Sequence, residues 1–157
     1  MKEEQHIITS NRKARYEYQI LDRLEAGIVL LGTEVKSLRM GNASLRDSYA
    51  AIHDHEVFLY NLHIGPYDKS TYFNHDPLRT RKLLFKKRQI RKLEMATSEK
   101  GLTLIPLSIY WKGKHAKIEL ALARGKRQYD KREAIARREL SEELDRTIKE
   151  RLNRYNR

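Results

Sequence analysis

The chain contains no cysteine. That removes a disulfide framework and a cysteine-ligated zinc site, and it fits a reducing cytosol. No run of eighteen apolar residues occurs, so no segment is expected to cross a membrane. Met1 to Ser10 are too polar for a secretory leader and lack a usable pattern, and they are expected to form a flexible start. A phosphate-cradling glycine loop, GxSxG, HExxH and a paired catalytic carboxylate motif are all missing, which argues against an enzyme. There is no internal repeat and no low-complexity tract. Acids are also scarce: 21 Asp and Glu stand against 33 Lys and Arg, a net charge of +12. Such a field attracts polyanions, of which nucleic acid is the commonest in a cell. An anionic membrane is the weaker match, because the basic stretches lack a Trp/Phe/Leu-rich face for insertion.

What is present, over 157 residues, suffices for one domain and an appendage. Tyr16, Tyr18 and Ile20 alternate with polar neighbours and read as a strand continuing past Gly27 to Leu31, with Gly27 as a bulge or corner. Thr33 is placed to cap a short helix holding Glu34, Val35 and Leu38, with Gly41 beyond its end. Two strands flank Asp54-His55-Glu56, and Asp76-Pro77 is a plausible helix start, with Leu83, Ile90 and Leu93 at helical spacing. Leu102 to Tyr110 and His115 to Ala123 form a second hairpin. From Lys131 the spacing is helical again, but Leu140, Leu144, Ile148 and Leu152 make only a narrow stripe, and a lone helix of that kind is marginal in water. Short strands with few helices predict a mainly β fold, a small closed antiparallel OB-like barrel with flanking short helices and a basic C-terminal tail, disordered or helical. The expected division is 1–10 flexible, 11–124 barrel and 125–157 tail.

Two charge patterns stand out. Gly125 to Arg132 carries four cations and one carboxylate at the point where the strand pattern stops. Arg79 to Lys92 holds eight cations and no carboxylate, a cost to the free protein unless a polyanion answers it. Tyr16, Tyr67, Tyr72, Phe73, Tyr110 and Trp111 interleave with basic residues, the mixture that grips single-stranded or looped RNA. Tyr18 and Phe58 are assigned to the core. His53-Asp54-His55-Glu56 looks like a metal cluster but lies where a turn gathers polar residues, and it is read as a turn. Glu25, beside the glycine corner, either closes a salt bridge or accepts hydrogen bonds from a base edge. Asn11 either does the same or caps a turn.

Six ordered stretches carry a resemblance. They are Asn11-Arg12-Lys13-Ala14, Leu24-Glu25-Ala26-Gly27, Gly32 to Arg39, Asn74-His75-Asp76-Pro77, Arg79 to Leu84, and Gly125-Lys126 with Asp130-Lys131-Arg132. In these the chain resembles the small protein B (SsrA-binding) family of bacterial trans-translation. The resemblance implies a cytoplasmic, monomeric RNA-binding protein with no cofactor, no metal and no catalysis. Its partners would be the tRNA-like domain of tmRNA and the decoding centre and mRNA channel of a stalled ribosome. It places RNA binding on Asn11, Glu25 and Leu84, supported by Lys13, Lys36 and Arg39. It places ribosome contact on Lys126, Tyr129, Asp130, Lys131 and Arg132. His55 stands where the family often has glycine, and Gln89 where glutamate is usual. The alternative is a structural ribosomal protein whose tail binds ribosomal RNA.

Overall fold

The computed structural model describes residues 5–70, 73–98, 101–126 and 128–155, and the side chains of all of these except 128–137 and 155. Among the described residues, nine strands and four helices run in the order β1 (Gln5–Ser10), α1 (Ala14–Glu17), β2 (Tyr18–Ile28), α2 (Gly32–Arg39), β3 (Ala43–Ser44), β4 (Tyr49–His53), β5 (Glu56–Tyr60), β6 (His63–Ile64), β7 (Arg81–Leu84), α3 (Lys87–Thr97), β8 (Leu102–Lys112), β9 (His115–Gly125) and α4 (Gln128–Tyr155). Seven strands form one antiparallel sheet in the order β1-β8-β4-β5-β7-β2-β9, and β9 pairs with β8 as well. β3 and β6 make a small separate ladder. The described chain is therefore mainly β, with short helices α1 to α3 and the longer α4, which gives the expected tail a helical form. It divides into two compact units, one ending at Gly125 and one spanning Lys126–Arg157.

Period-two alternation explains the sheet. Along β2, Ala26 and Ile28 are buried while Arg23 and Glu25 are exposed. The inward residues Ile109, Ile118 and Leu120 meet Leu38 of α2 and Leu93 of α3 in one core. A second, smaller cluster on Ala14, Ile105 and Ala123 seats α1 with Tyr18 and Leu107.

Several expectations are corrected. Gln5–Ser10 form a strand rather than a loose start, paired with β8 from Gln5↔Lys112 to Ser10↔Ser108. This strand is mostly exposed, so backbone pairing makes it and the apolar pattern carried little signal. Tyr16 lies in α1, and β2 starts at Tyr18 and stops at Ile28. Leu31, not Thr33, is the cap of α2: Glu34 Oε1 accepts the Leu31 backbone N–H at 2.8 Å. Thr33 instead meets the buried His75 through Oγ1 and Nδ1 at 2.9 Å. The bulge of β2 falls between Ile20 and Asp22, and Gly27 is where β2 pairs with Lys117 of β9 and Leu84 of β7 at once. The Asp76-Pro77 region is a turn, with Leu78 N donating to Asp76 Oδ1 at 3.0 Å. Helix α3 begins only at Lys87, because Arg81 and Leu83 are both inward positions of a strand.

At the first hairpin, Asp54 and His55 both have positive φ, 49° and 60°, as a two-residue primed turn demands.

Candidate nucleic-acid interface

Strand register builds the site. Ser10 pairs with Ser108, Ser108 with Glu119 and Glu119 with Glu25, one row across β1, β8, β9 and β2. Paired residues project from the same side of a sheet, so these four share the face opposite the core. Tyr110, Lys117 and Gly27 form the next row on that face, and Leu84 pairs with Gly27. One strand step and two residues separate Glu25 from Leu84, so their Cα atoms are about 8 Å apart. Leu84 is 54% exposed, an apolar side chain held out from a polar face.

Glu25 is fixed rather than loose. Its carboxylate accepts a hydrogen bond from the Tyr110 hydroxyl and one from Lys112 Nζ at 3.2 Å. The Tyr110 bond above all holds the carboxyl below the usual range; burial, the next largest influence, opposes it, and Lys112 and then Lys117 add to the lowering. Burial first, and then Glu25, push the Tyr110 phenol up. Glu25 thus stands as an ionised acceptor. Tyr110, expected among the stacking aromatics, is 5% exposed and serves this carboxylate instead.

Asn11 begins the corner after β1. Its N–H donates to the Leu107 carbonyl at 2.7 Å and its Nδ2 to the Pro106 carbonyl at 3.2 Å. Those bonds fix the amide, leaving Oδ1 as an acceptor without a partner among the described residues. Asn11, Arg12 and Lys13 line a groove of about 510 Å³ whose opposite wall includes Arg46 and Tyr49.

Helix α2 presents Lys36, 5.3 Å above the Tyr67 ring, and exposed Arg39. A buried charge cluster holds it. Glu34 is fully buried and bonds Arg79 Nη2 and Arg81 Nε at 2.5 Å each. Arg81, also fully buried, donates further to the carbonyls of Leu62 and Pro77. Burial would raise the Glu34 carboxyl, but the bonds from Arg79, Leu31 and Arg81 outweigh it and hold it below the usual range. Burial lowers the Arg81 guanidinium from its ordinary value. Val35 of α2 lines a cavity of about 250 Å³ with Gly27, Leu84 and Lys117, so the helix adjoins the Leu84 face.

The structure therefore brings Glu25 and Leu84 onto one face, sets Asn11 and Lys13 at the end of the same sheet, and places Lys36 and Arg39 on the adjoining helix. Lys126 is exposed just after β9. Tyr129, Asp130, Lys131 and Arg132 lie in α4, with side chains outside the described residues, as are Arg127 and Tyr72. Sequence reasoning missed Glu34, Arg79 and Arg81 as a unit. The available signal was Arg81 standing two residues before Leu83, at an inward position of β7.

The cationic run is less uniform than its sequence. Arg79 and Arg81 pair with Glu34, Lys82 with Glu56 at 2.9 Å and Lys92 with Asp22 at 3.6 Å. The expectation that all eight cations await a polyanion is corrected to the remainder. At the His53–Glu56 turn the side chains diverge: His55 meets Glu94 at 2.8 Å while Glu56 meets Lys82. Among the described residues no group of three or more His, Cys, Asp or Glu could hold a metal, and no helix is long and apolar enough to cross a membrane.

These features define a small, mainly β, strongly cationic protein with a polar sheet face built around Glu25. The SmpB protein family model matches residues 8–150, and the chain belongs to that family. It is 58% identical over 144 residues to an SsrA-binding protein of Syntrophomonas wolfei, covering 92% of each chain. It is 53% identical over 148 residues to one of Enterococcus faecalis, covering 94% of this chain and 96% of that one. A chain in the solved structure "tmRNA-SmpB: a journey to the center of the bacterial ribosome" is 50% identical, with a TM-score of 0.66, over 81% of this chain and 93% of that one.

Proposed function

We propose that this chain binds the tRNA-like end of tmRNA and brings it to stalled ribosomes for rescue and peptide tagging. The observation that carries the reading is the Glu25–Leu84 face: an ionised acceptor beside an exposed leucine, in a protein of net charge +12. A carboxylate held this way accepts from an amino group on a base edge, while leucine packs on a base or ribose surface. Asn11 adds a second fixed acceptor, and Lys13, Lys36 and Arg39 take phosphates.

The platform, 11–124, is an OB-like barrel in this reading. The support is the ring of pairings from β8 through β4, β5, β7, β2 and β9 back to β8, with α3 contributing Leu93 to the core. The second part, 125–157, carries Lys126, Tyr129, Asp130, Lys131 and Arg132 into the decoding centre and the empty mRNA path. The helical form of α4 and its exposed charges suit a channel walled by phosphates. The protein acts as a cytoplasmic monomer, without a cofactor or a catalytic step of its own.

A filter-binding titration against the tRNA-like domain of tmRNA and against an unrelated hairpin tests the reading. It requires preference for the first. Equal binding, with retention on ribosomes through a high-salt wash, would favour a structural ribosomal protein.

A further inference from the structure

Four cations of the Arg79–Lys92 run remain after the internal pairs are assigned. Lys86, Lys87, Arg88 and Arg91 are exposed and carry no ion pair among the described residues. The nearby acids are engaged elsewhere, Glu94 with His55 at 2.8 Å and Asp22 with Lys92 at 3.6 Å. Helix α3 is fixed beneath them: Leu93 is 2% exposed in the core, and Phe85 and Ile90 pack against it. Lys87, Arg88 and Arg91 therefore form a stripe on a rigid support, with Lys87 and Arg91 one turn, about 6 Å, apart. Each strand of a duplex presents one phosphate per about 3.4 Å of helix-axis rise, so cations one helical turn apart can meet successive phosphates of one strand.

The arrangement works against the stability of the free protein. The first turn of α3 holds no acidic residue, and cations there oppose the helix dipole and one another. Gln89 is neutral where a carboxylate would have relieved them, and its side chain accepts the Lys86 N–H at 3.0 Å. The stripe is also continuous with the candidate interface. Lys87 lies three positions after Leu84, a span of at most about 11 Å.

We infer that Lys87, Arg88 and Arg91 form a second contact for the phosphate backbone of the same RNA that covers Glu25 and Leu84. The inference rests on the RNA-binding reading above and adds a surface to it. The sheet face reads base edges, and the stripe adds sequence-independent, salt-sensitive affinity. A neutral α3 would bind the same RNA with the same preference, but more weakly at low salt.

The test uses the full chain and the tRNA-like domain of tmRNA, titrated across a range of salt concentrations. The variants are Lys87→Gln/Arg88→Gln/Arg91→Gln, a control of equal net charge, Lys69→Gln/Arg124→Gln/Arg146→Gln, and Glu25→Ala. Neutralising one cation that sits on a phosphate takes roughly 0.7–0.9 off the slope of log affinity against log salt. The α3 variant is expected to bind with a slope shallower by about 2–3, and the control with a change below about 1. The α3 variant should melt no lower than the parent, because its cations oppose the helix. A structural role for them would lower melting and overturn the proposal. An unchanged slope, or an equal change in the control, also overturns it. If tmRNA binding is unaffected and only ribosome association weakens, α3 faces ribosomal RNA and the inference fails. A loss of affinity in Glu25→Ala with none in the α3 variant sinks this inference alone. A wild-type chain without preference for tmRNA sinks the functional reading itself.

Discussion

Around Glu34, charge is packed out of water: the carboxylate and Arg81 are fully buried, and each carboxylate oxygen bonds an arginine. Along α4, Leu140, Leu144, Ile148 and Leu152 stand 55–58% exposed among charges. The first region puts charge inside and the second leaves apolar side chains outside. Buried ions are tolerated only when paired, so the first region fixes a shape. An exposed leucine stripe adds little to stability by itself, so α4 is suited to gain its order from what it contacts. In the proposed function the platform would carry its surface ready-made, and the tail its affinity in charge and sequence. The difference is that between side chains locked by buried ion pairs and a helix whose apolar stripe stays exposed.

That contrast can be broken at several points. The largest effect is expected from Asp130→Ala with Lys131→Ala and Arg132→Ala, which should reduce tagging of peptides on stalled ribosomes to background in a reconstituted assay. Binding of tmRNA by the same variant should stay within about threefold of the parent, a change under ~1 kcal/mol.

Glu34→Gln comes next. It keeps an acceptor but leaves Arg81 charged, buried and uncompensated, and should cost about 3–5 kcal/mol by urea unfolding. The pH dependence follows from the same group. Its folded carboxyl lies below its unfolded value, so its contribution is present above the usual carboxylate range, near ~4.3, and is lost as pH falls through and below it. The parent should weaken over that window, and Glu34→Gln should weaken less. A variant as stable as the parent would mean that the cluster does not hold α2.

Glu25→Ala should weaken tmRNA binding by about 5–150-fold, the equivalent of ~1–3 kcal/mol for one base-edge contact. Circular dichroism should show an intact fold. Unchanged affinity with a lower melting temperature would assign Glu25 to Tyr110 and Lys112 alone. The smallest effect is reserved for Leu144→Ala, which should shift the unfolding of the platform by less than ~0.5 kcal/mol, since an exposed residue of the other unit buries little. A larger shift would show that α4 supports the platform.

The sequence was most readable where burial sets a period. The hairpin of β8 and β9 and the turn at Asp54-His55 followed from alternation and turn residues, as did the helical spacing of the tail. Elsewhere the determinants are long-range. β1 is held by backbone pairing to β8, which leaves no apolar period in Gln5–Ser10. Leu83 fits a helical spacing with Ile90 and Leu93, but Arg81 inside a strand at the same place depends on Glu34, 47 residues away in sequence. Glu25 left two readings open because its partners, Tyr110 and Lys112, lie more than eighty residues away and are brought near by strand register. The groove at Asn11 has the same origin, since its walls come from 9–18, 44–49 and Thr103 and Ile105 of β8.

The separation of platform and tail is tested most directly by truncation after Tyr129, with tmRNA affinity and peptide tagging measured on the same preparation. The account predicts affinity within about threefold of the full chain, a difference under ~1 kcal/mol, and no tagging. A truncated protein that loses tmRNA binding in proportion to tagging would contradict it, because the chain would then have one binding surface and not two.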